Sequence, residues 1–144
     1  MSKLVFHKPV EHLPKPVEYP LEFQEMVARL QSLRLESSYL WDYKYWCISL
    51  EDRGKVLKDV LINMPKYTVD KFDCDNFAML CSARVSERYK LNTCGIAIGQ
   101  SPWGEHGYNL LVYPKGLIYF EPQTGDFISI EDSGYKARLV IFGG

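Results

Sequence analysis

Nowhere does the chain carry an apolar run of about 18 residues, an internal repeat or a low-complexity tract. A bilayer core takes roughly 20 consecutive apolar residues to cross as a helix, so the first absence excludes a helical membrane span. The other two exclude solenoid and fibrous architectures. An excess of one charge is also lacking: 17 basic against 18 acidic residues leave a formal charge of -1. Without a broad positive field, neither nucleic acid nor an anionic membrane surface is expected as a partner. Cysteine is scarce, with four residues, Cys47, Cys74, Cys81 and Cys94. Cys74 and Cys81 stand seven apart in one helical pattern, too far along an axis to pair, so free thiols of a reducing compartment are expected. The opening residues Met1 to Pro9 lack an uninterrupted apolar h-region, and the expected location is cytoplasmic.

What is present is globular: 47% of the 144 residues are apolar and 24% charged. A chain of this size buries roughly 70% of its unfolded surface and supports one core. Pro9, Pro14, Pro16 and Pro20 predict an extended arm over residues 1–19, ahead of a single domain at 20–144. The arm is either a passive strap or an inhibitory segment lying in a cleft. Phe23, Met26, Val27, Leu30 and Leu33 predict a helix over 20–34, with Pro20 in its first turn. A second helix is expected from Glu51 to Met64, stopped by Pro65, and a third from Asp73 to about Tyr89. The aromatic run from Tyr39 to Cys47 reads either as core staples or as the wall of a cleft. Strands are expected at Cys94–Ile98, Tyr108–Tyr113, Leu117–Phe120, Phe127–Ile130 and Arg138–Phe142. Helices first and an antiparallel meander after them predict an α+β domain, its central helix packed on the sheet.

Two stretches bear chemistry, Phe72-Asp73-Cys74-Asp75-Asn76-Phe77-Ala78 and Gly104-Glu105-His106-Gly107-Tyr108-Asn109. Cys74 falls at a helix N-terminus, where free N–H groups and the dipole favour a thiolate. Asp73 and Asp75 repel that anion, so a cation is needed, and His106 at a strand edge is the candidate. The plainer reading of any of the four cysteines is a small buried hydrophobe. Thiol catalysis also uses a third group to fix the imidazole. With a two-residue loop in the turn Tyr113-Pro114-Lys115-Gly116, Glu121 becomes the diagonal neighbour of His106. A bulge at Gly116 would bring Gln123 or Thr124 opposite His106 instead, leaving Gln123 as the reserve orienting group. The backbone N–H of Cys74 with the Trp46 indole or the Tyr45 hydroxyl is the expected oxyanion site. Trp103 lines a groove or clamps a core edge.

Cys74-Asp75-Asn76-Phe77-Ala78 resembles the Cys-Asp-(Asp/Asn)-(Phe/Tyr)-Ala motif of papain-like and transglutaminase-like cysteine enzymes. His106-Gly107-Tyr108-Asn109 and Glu121-Pro122-Gln123-Thr124-Gly125 are similar to the His strand and the acid-Pro-x-x-Gly element of that superfamily, over roughly residues 70 to 130. The match is especially close to the papain-like C-terminal domain of fungal chimeric lectins. The resemblance implies a papain-like α+β fold and a thiol hydrolase, a cysteine protease or amidase, with a catalytic triad of Cys74 as nucleophile, His106 as base and acid, and Glu121 as orienter. Transglutaminase-like acyl transfer uses the same acyl-enzyme. The implied partner is a protein or peptide substrate, and no cofactor is required. Calcium is the optional exception, its matching ligands being Asn76 and Gln123, both neutral amides. The alternative is an inactive member of the same fold serving as a binding or regulatory module, betrayed by a Cys74 sulfur far from His106.

Overall fold

The computed structural model describes residues 15–131 and 133–143. Most of the proline-rich arm, with His7, His12, Pro9 and Pro14, lies outside the described residues, as does the question of what it covers.

The chain enters as strand β1 (Tyr19–Glu22), which pairs antiparallel with β3 (Lys44–Cys47), so Pro20 sits in an edge strand and not in a helix. Helix α1 (Phe23–Gln31) begins one residue after Glu22, whose N–H is met by the Glu25 carboxylate, and it buries Met26 and Leu30. Its Arg29 guanidinium donates to the Tyr113, Pro114 and Gly116 carbonyls and so fastens the helix to a distant hairpin turn. Helix α2 (Leu50–Val60) starts where the Ser49 hydroxyl accepts from the Asp52 N–H, and it stops short of Pro65. Helix α3 (Cys74–Tyr89) ends at Lys90, whose φ of 57° breaks the helical run.

Five further strands complete the molecule: β4 (Cys94–Ser101), β5 (Gly104–Tyr113), β6 (Gly116–Glu121), β7 (Asp126–Ile128) and β8 (Lys136–Phe142). With β2 (Ser37–Leu40) they form a six-stranded sheet in the order β2-β8-β4-β5-β6-β7. Strand β2 lies parallel to β8 and every other pairing is antiparallel.

This corrects the expected papain-like α+β arrangement. The sheet dominates and is mixed, because the aromatic segment read as staples or cleft wall supplies strands to two sheets. Ser37 to Leu40 crosses to the C-terminal strand, and Lys44 to Cys47 turns back to Tyr19–Glu22. One buried cluster joins α1 to Tyr45, Tyr108, Tyr119, Tyr135, Val140 and Phe142. A second joins α2 and α3 through Val56, Leu57, Val60, Cys81 and Val85 to Cys94, Leu111 and Phe120.

Candidate functional site

Helix α3 begins at Cys74 because Asp73 is extended (φ -119°) and Asn76 returns its Oδ1 to the Asp73 N–H at 3.1 Å. The Asp73 carboxylate also accepts from the Asp70 N–H at 3.1 Å. Asp75 gives Asp73 a side-chain hydrogen bond, which holds the Asp73 carboxyl below its ordinary value and pushes Asp75 above it. Each letter of Cys-Asp-Asn-Phe-Ala thus has local work in a capped helix, since Phe77 and Ala78 are buried in the next turn.

Strand β5 crosses this helix end at the closest backbone approach the site contains. A Cβ at Gly107 would stand 2.8 Å from the Asp75 Cα and 3.0 Å from its nitrogen, so only glycine fits. The approach brings the Gly107 N–H to the Cys74 sulfur at 3.4 Å. Alternation along the strand turns Gly107 toward Asp75 and the His106 ring the other way, near-parallel to Tyr108 at 5.9 Å.

His106 Nε2 meets Glu121 Oε1 at 2.5 Å, with the two side chains 13% and 3% exposed. The hairpin runs with Tyr113 opposite Gly116 and Asn109 opposite Phe120, so the loop is Pro114-Lys115 and Glu121 reaches the imidazole. Glu121 also accepts from the Gln123 N–H at 3.3 Å and from the Tyr135 hydroxyl at 3.4 Å. Burial, with the neighbouring Glu121 charge, pushes Tyr135 up to about 12, so its hydroxyl keeps its proton for that bond. The catalytic roles expected of Cys74, His106 and Glu121 needed a proton shared between the first two. The hydrogen bonds formed pair the sulfur with an amide and the ring with a carboxylate.

Beside this pair is a cavity of about 360 Å³ lined by Tyr67, Trp103, His106, Glu121, Gln123 and Thr124. Trp103 is 74% exposed at the tip of the β4–β5 hairpin, edge-on to His106 with centroids 6.0 Å apart. Gly104 turns that hairpin with φ +106°. Tyr67, 47% exposed, rests on Phe77 at 6.4 Å.

Other expected site residues lie elsewhere. Tyr45 is fully buried, its hydroxyl accepting from the Asp42 N–H at 2.9 Å. Trp46 lines a separate cavity with Tyr43, Lys44 and Asn92. Both belong to β3, which pairs with β1, and neither lines the cavity beside His106. The calcium pair does not fit: Asn76 spends its amide oxygen on the helix cap, and Gln123 adds only one neutral oxygen where a hard cation takes six to eight. Tyr67 and Tyr135 went unnoticed in the sequence. The signal for the first is an aromatic in a short loop ahead of the capped helix; the second carries no sequence signal, because only the fold brings the residue ahead of β8 against Tyr119 and Glu121 of β6.

Solved structures resemble the chain, two of them as follows. One is a PSL1a–E64 complex, 28% identical with a TM-score of 0.70, matched over 85% of this chain and 50% of that one. The other is Polyporus squamosus lectin bound to the human-type influenza-binding epitope Neu5Aca2-6Galb1-4GlcNAc, 26% identical with a TM-score of 0.64, matched over 81% of this chain and 46% of that one. The chain therefore spans about half the length of these relatives. No curated protein matches it. Residues 34–142 match the model of the ricin-type beta-trefoil lectin C-terminal domain.

These findings overturn the resemblance to papain-like and transglutaminase-like enzymes and what it implied: cysteine hydrolase activity, a thiol-protease triad and a peptide substrate. The motif misled because a capped helix end, a glycine crossing and a paired histidine produce the same letters for structural reasons. No described helix is long and apolar enough to cross a membrane. With the family model covering more than half of its length, the chain belongs to the ricin-type beta-trefoil lectin C-terminal domain family.

Proposed function

We propose that the chain is a non-catalytic binding module of a lectin-type protein and that the groove between Trp103 and Tyr67 takes a saccharide. The observation that carries this reading is the composition of the cavity wall: two exposed aromatic rings face a hydrogen-bonding set of His106, Glu121, Gln123 and Thr124. A pyranose has an apolar face that packs on an aromatic ring and an equatorial rim of hydroxyls that suits carboxylate, amide and hydroxyl partners. Glu121 is held by three donors, so its oxygens are fixed in place before a ligand arrives. Cys74 serves on this reading as part of the helix cap beneath the groove, its sulfur accepting from Gly107. Family membership and the glycan complex of one solved relative agree with a saccharide as the ligand class.

The test is a titration of isotopically labelled protein with galactose, N-acetylglucosamine and Neu5Aca2-6Galb1-4GlcNAc, followed by NMR. The expected outcome is a shift of the Trp103 indole and the Gly107 amide by at least one of the three, with affinity falling about tenfold or more in Trp103→Ala, since exposed aromatic anchors dominate small sites. Shifts confined to other surfaces, or none with any sugar, would refute the proposal.

A further inference from the structure

Away from the groove, a second cavity of about 360 Å³ opens between the end of α1 and the start of β8. Its floor is apolar: Leu33, Tyr119 and Tyr135 are buried there, and Ile130 is half-buried. Its rim carries two exposed cations, Arg34 and Lys136, beside the Gln100 amide and the Ser133 hydroxyl. Among the described residues no carboxylate lines it.

Neither cation is held by an ion pair with a described residue. Glu36, the next acid in the chain after Arg34, goes instead to Arg138, which also takes Glu105. Two like charges therefore face one cavity with nothing between them to offset their repulsion. Arg34 is also kept at a conformational cost. Its N–H donates to the Gln31 carbonyl at 3.2 Å, closing the turn that ends α1, and its φ is 52°. A Cβ crowds the backbone in that left-handed region, which glycine enters freely. Glycine would close the same turn without strain, so the arginine side chain has a use that the turn does not supply. At the opposite rim the Ser133 hydroxyl accepts from the Tyr135 N–H at 3.3 Å, which fixes its oxygen and leaves its O–H to donate.

We propose that this cavity is a second ligand site, one that takes a small organic oxyanion, a carboxylate or a sulfate ester, on Arg34 and Lys136 with its apolar body on Tyr119 and Tyr135. A guanidinium offers a planar fork that matches two oxygens of such a group, and an ammonium adds a point charge. Pockets of this kind join an apolar floor to a few converging polar groups, which is the composition found here. The two cavities share no lining residue, so the proposal stands apart from the saccharide reading.

The test is an NMR titration of the labelled full chain with benzoate and with phenyl sulfate, benzyl alcohol serving as the neutral counterpart. At least one of the anions is expected to shift the Gly134 and Lys136 amides and the Gln100 side-chain amide to saturation. Benzyl alcohol should bind at least about tenfold more weakly, because it lacks the charge-assisted hydrogen bonds. Arg34→Gly should weaken the anion about tenfold for the same reason. Its urea midpoint should stay level or rise, since the strained turn is relieved. Lys136→Gln, which removes an exposed point charge, should cost about threefold. Silence with both anions, equal binding of benzyl alcohol, or affinity unmoved by Arg34→Gly would overturn the proposal. So would a lower midpoint for Arg34→Gly, which would make the side chain a support of the fold.

Discussion

The two faces of the six-stranded sheet bury their polar atoms differently. The core packed on the face toward α1 holds Tyr45, Tyr108, Tyr119 and Tyr135, and each hydroxyl has a partner. Tyr108 donates to the Gln100 carbonyl at 3.0 Å, Tyr119 accepts from the Ala137 N–H at 3.0 Å, Tyr45 accepts from Asp42, and Tyr135 donates to Glu121. The face toward α2 and α3 is aliphatic and thiol-rich and keeps unpartnered atoms on Arg53 and on Asn109 Oδ1. A phenol buries a large ring while its single hydroxyl reaches the edge of the core, whereas a guanidinium has five N–H groups to satisfy. The satisfied face is the one that carries His106 and Glu121. A groove built there starts rigid, and the opposite face serves to fasten the helices.

The sharpest way to break this division is at the point where the helix end meets β5. Gly107→Ala places a methyl against the Asp75 backbone and is expected to cost about 3 kcal/mol, at the upper end of overpacking, because neither backbone can yield. Urea denaturation measures it, and a loss below about 0.5 kcal/mol would mean that the crossing is not close-packed. Next in size is an alkaline effect belonging mainly to the tyrosine face. Burial raises Tyr45, Tyr108, Tyr119 and Tyr135 above the ordinary value of 10.0, with Tyr135 reaching about 12. A raised folded value gives stability that is complete below 10.0 and lost as pH climbs toward 12, since the unfolded chain releases these protons first. The denaturation midpoint should therefore fall steeply across that interval. Tyr89→Phe, on the other face, should leave most of the fall in place although Tyr89 is also pushed up to about 12. A midpoint independent of pH above 10.0 would contradict the burial of the tyrosine ladder.

Periodicity showed α2, α3 and the strands β4, β5, β6 and β8 in outline, because each pairs a clear apolar rhythm with a turn or cap signal. The small sheet escaped it. Pro20 before an apolar stripe reads as a helix start, and only the distant partner Trp46 makes it a strand residue. The parallel β2–β8 pairing was equally hidden, since Ser37 to Leu40 has neither alternation nor length enough to announce a strand. At the site, the hairpin turn made the proximity of His106 and Glu121 legible through strand register. Around Cys74 the letters announced the start of a helix. The crossing of Gly107 over Asp75 was not legible, because it needs the partner strand in place.

Smaller changes sharpen the comparison within the tyrosine face itself. Tyr119→Phe removes the acceptor of the buried Ala137 N–H and should cost about 1 to 2 kcal/mol, read by denaturation, with little effect on the groove. Tyr135→Phe should cost less than about 1 kcal/mol, because its 3.4 Å bond is long and Glu121 retains two other donors. Its effect should appear in ligand binding, where a looser carboxylate lowers saccharide affinity by roughly threefold, the equivalent of half a neutral hydrogen bond. Tyr108→Phe is the matched control. It keeps the ring that lies against His106 but loses a hydroxyl directed at the Gln100 carbonyl and away from Glu121, so its affinity should stay unchanged. If the two variants weaken binding alike, the hydroxyl of Tyr135 does not steer Glu121, and the groove owes its order to ring packing alone.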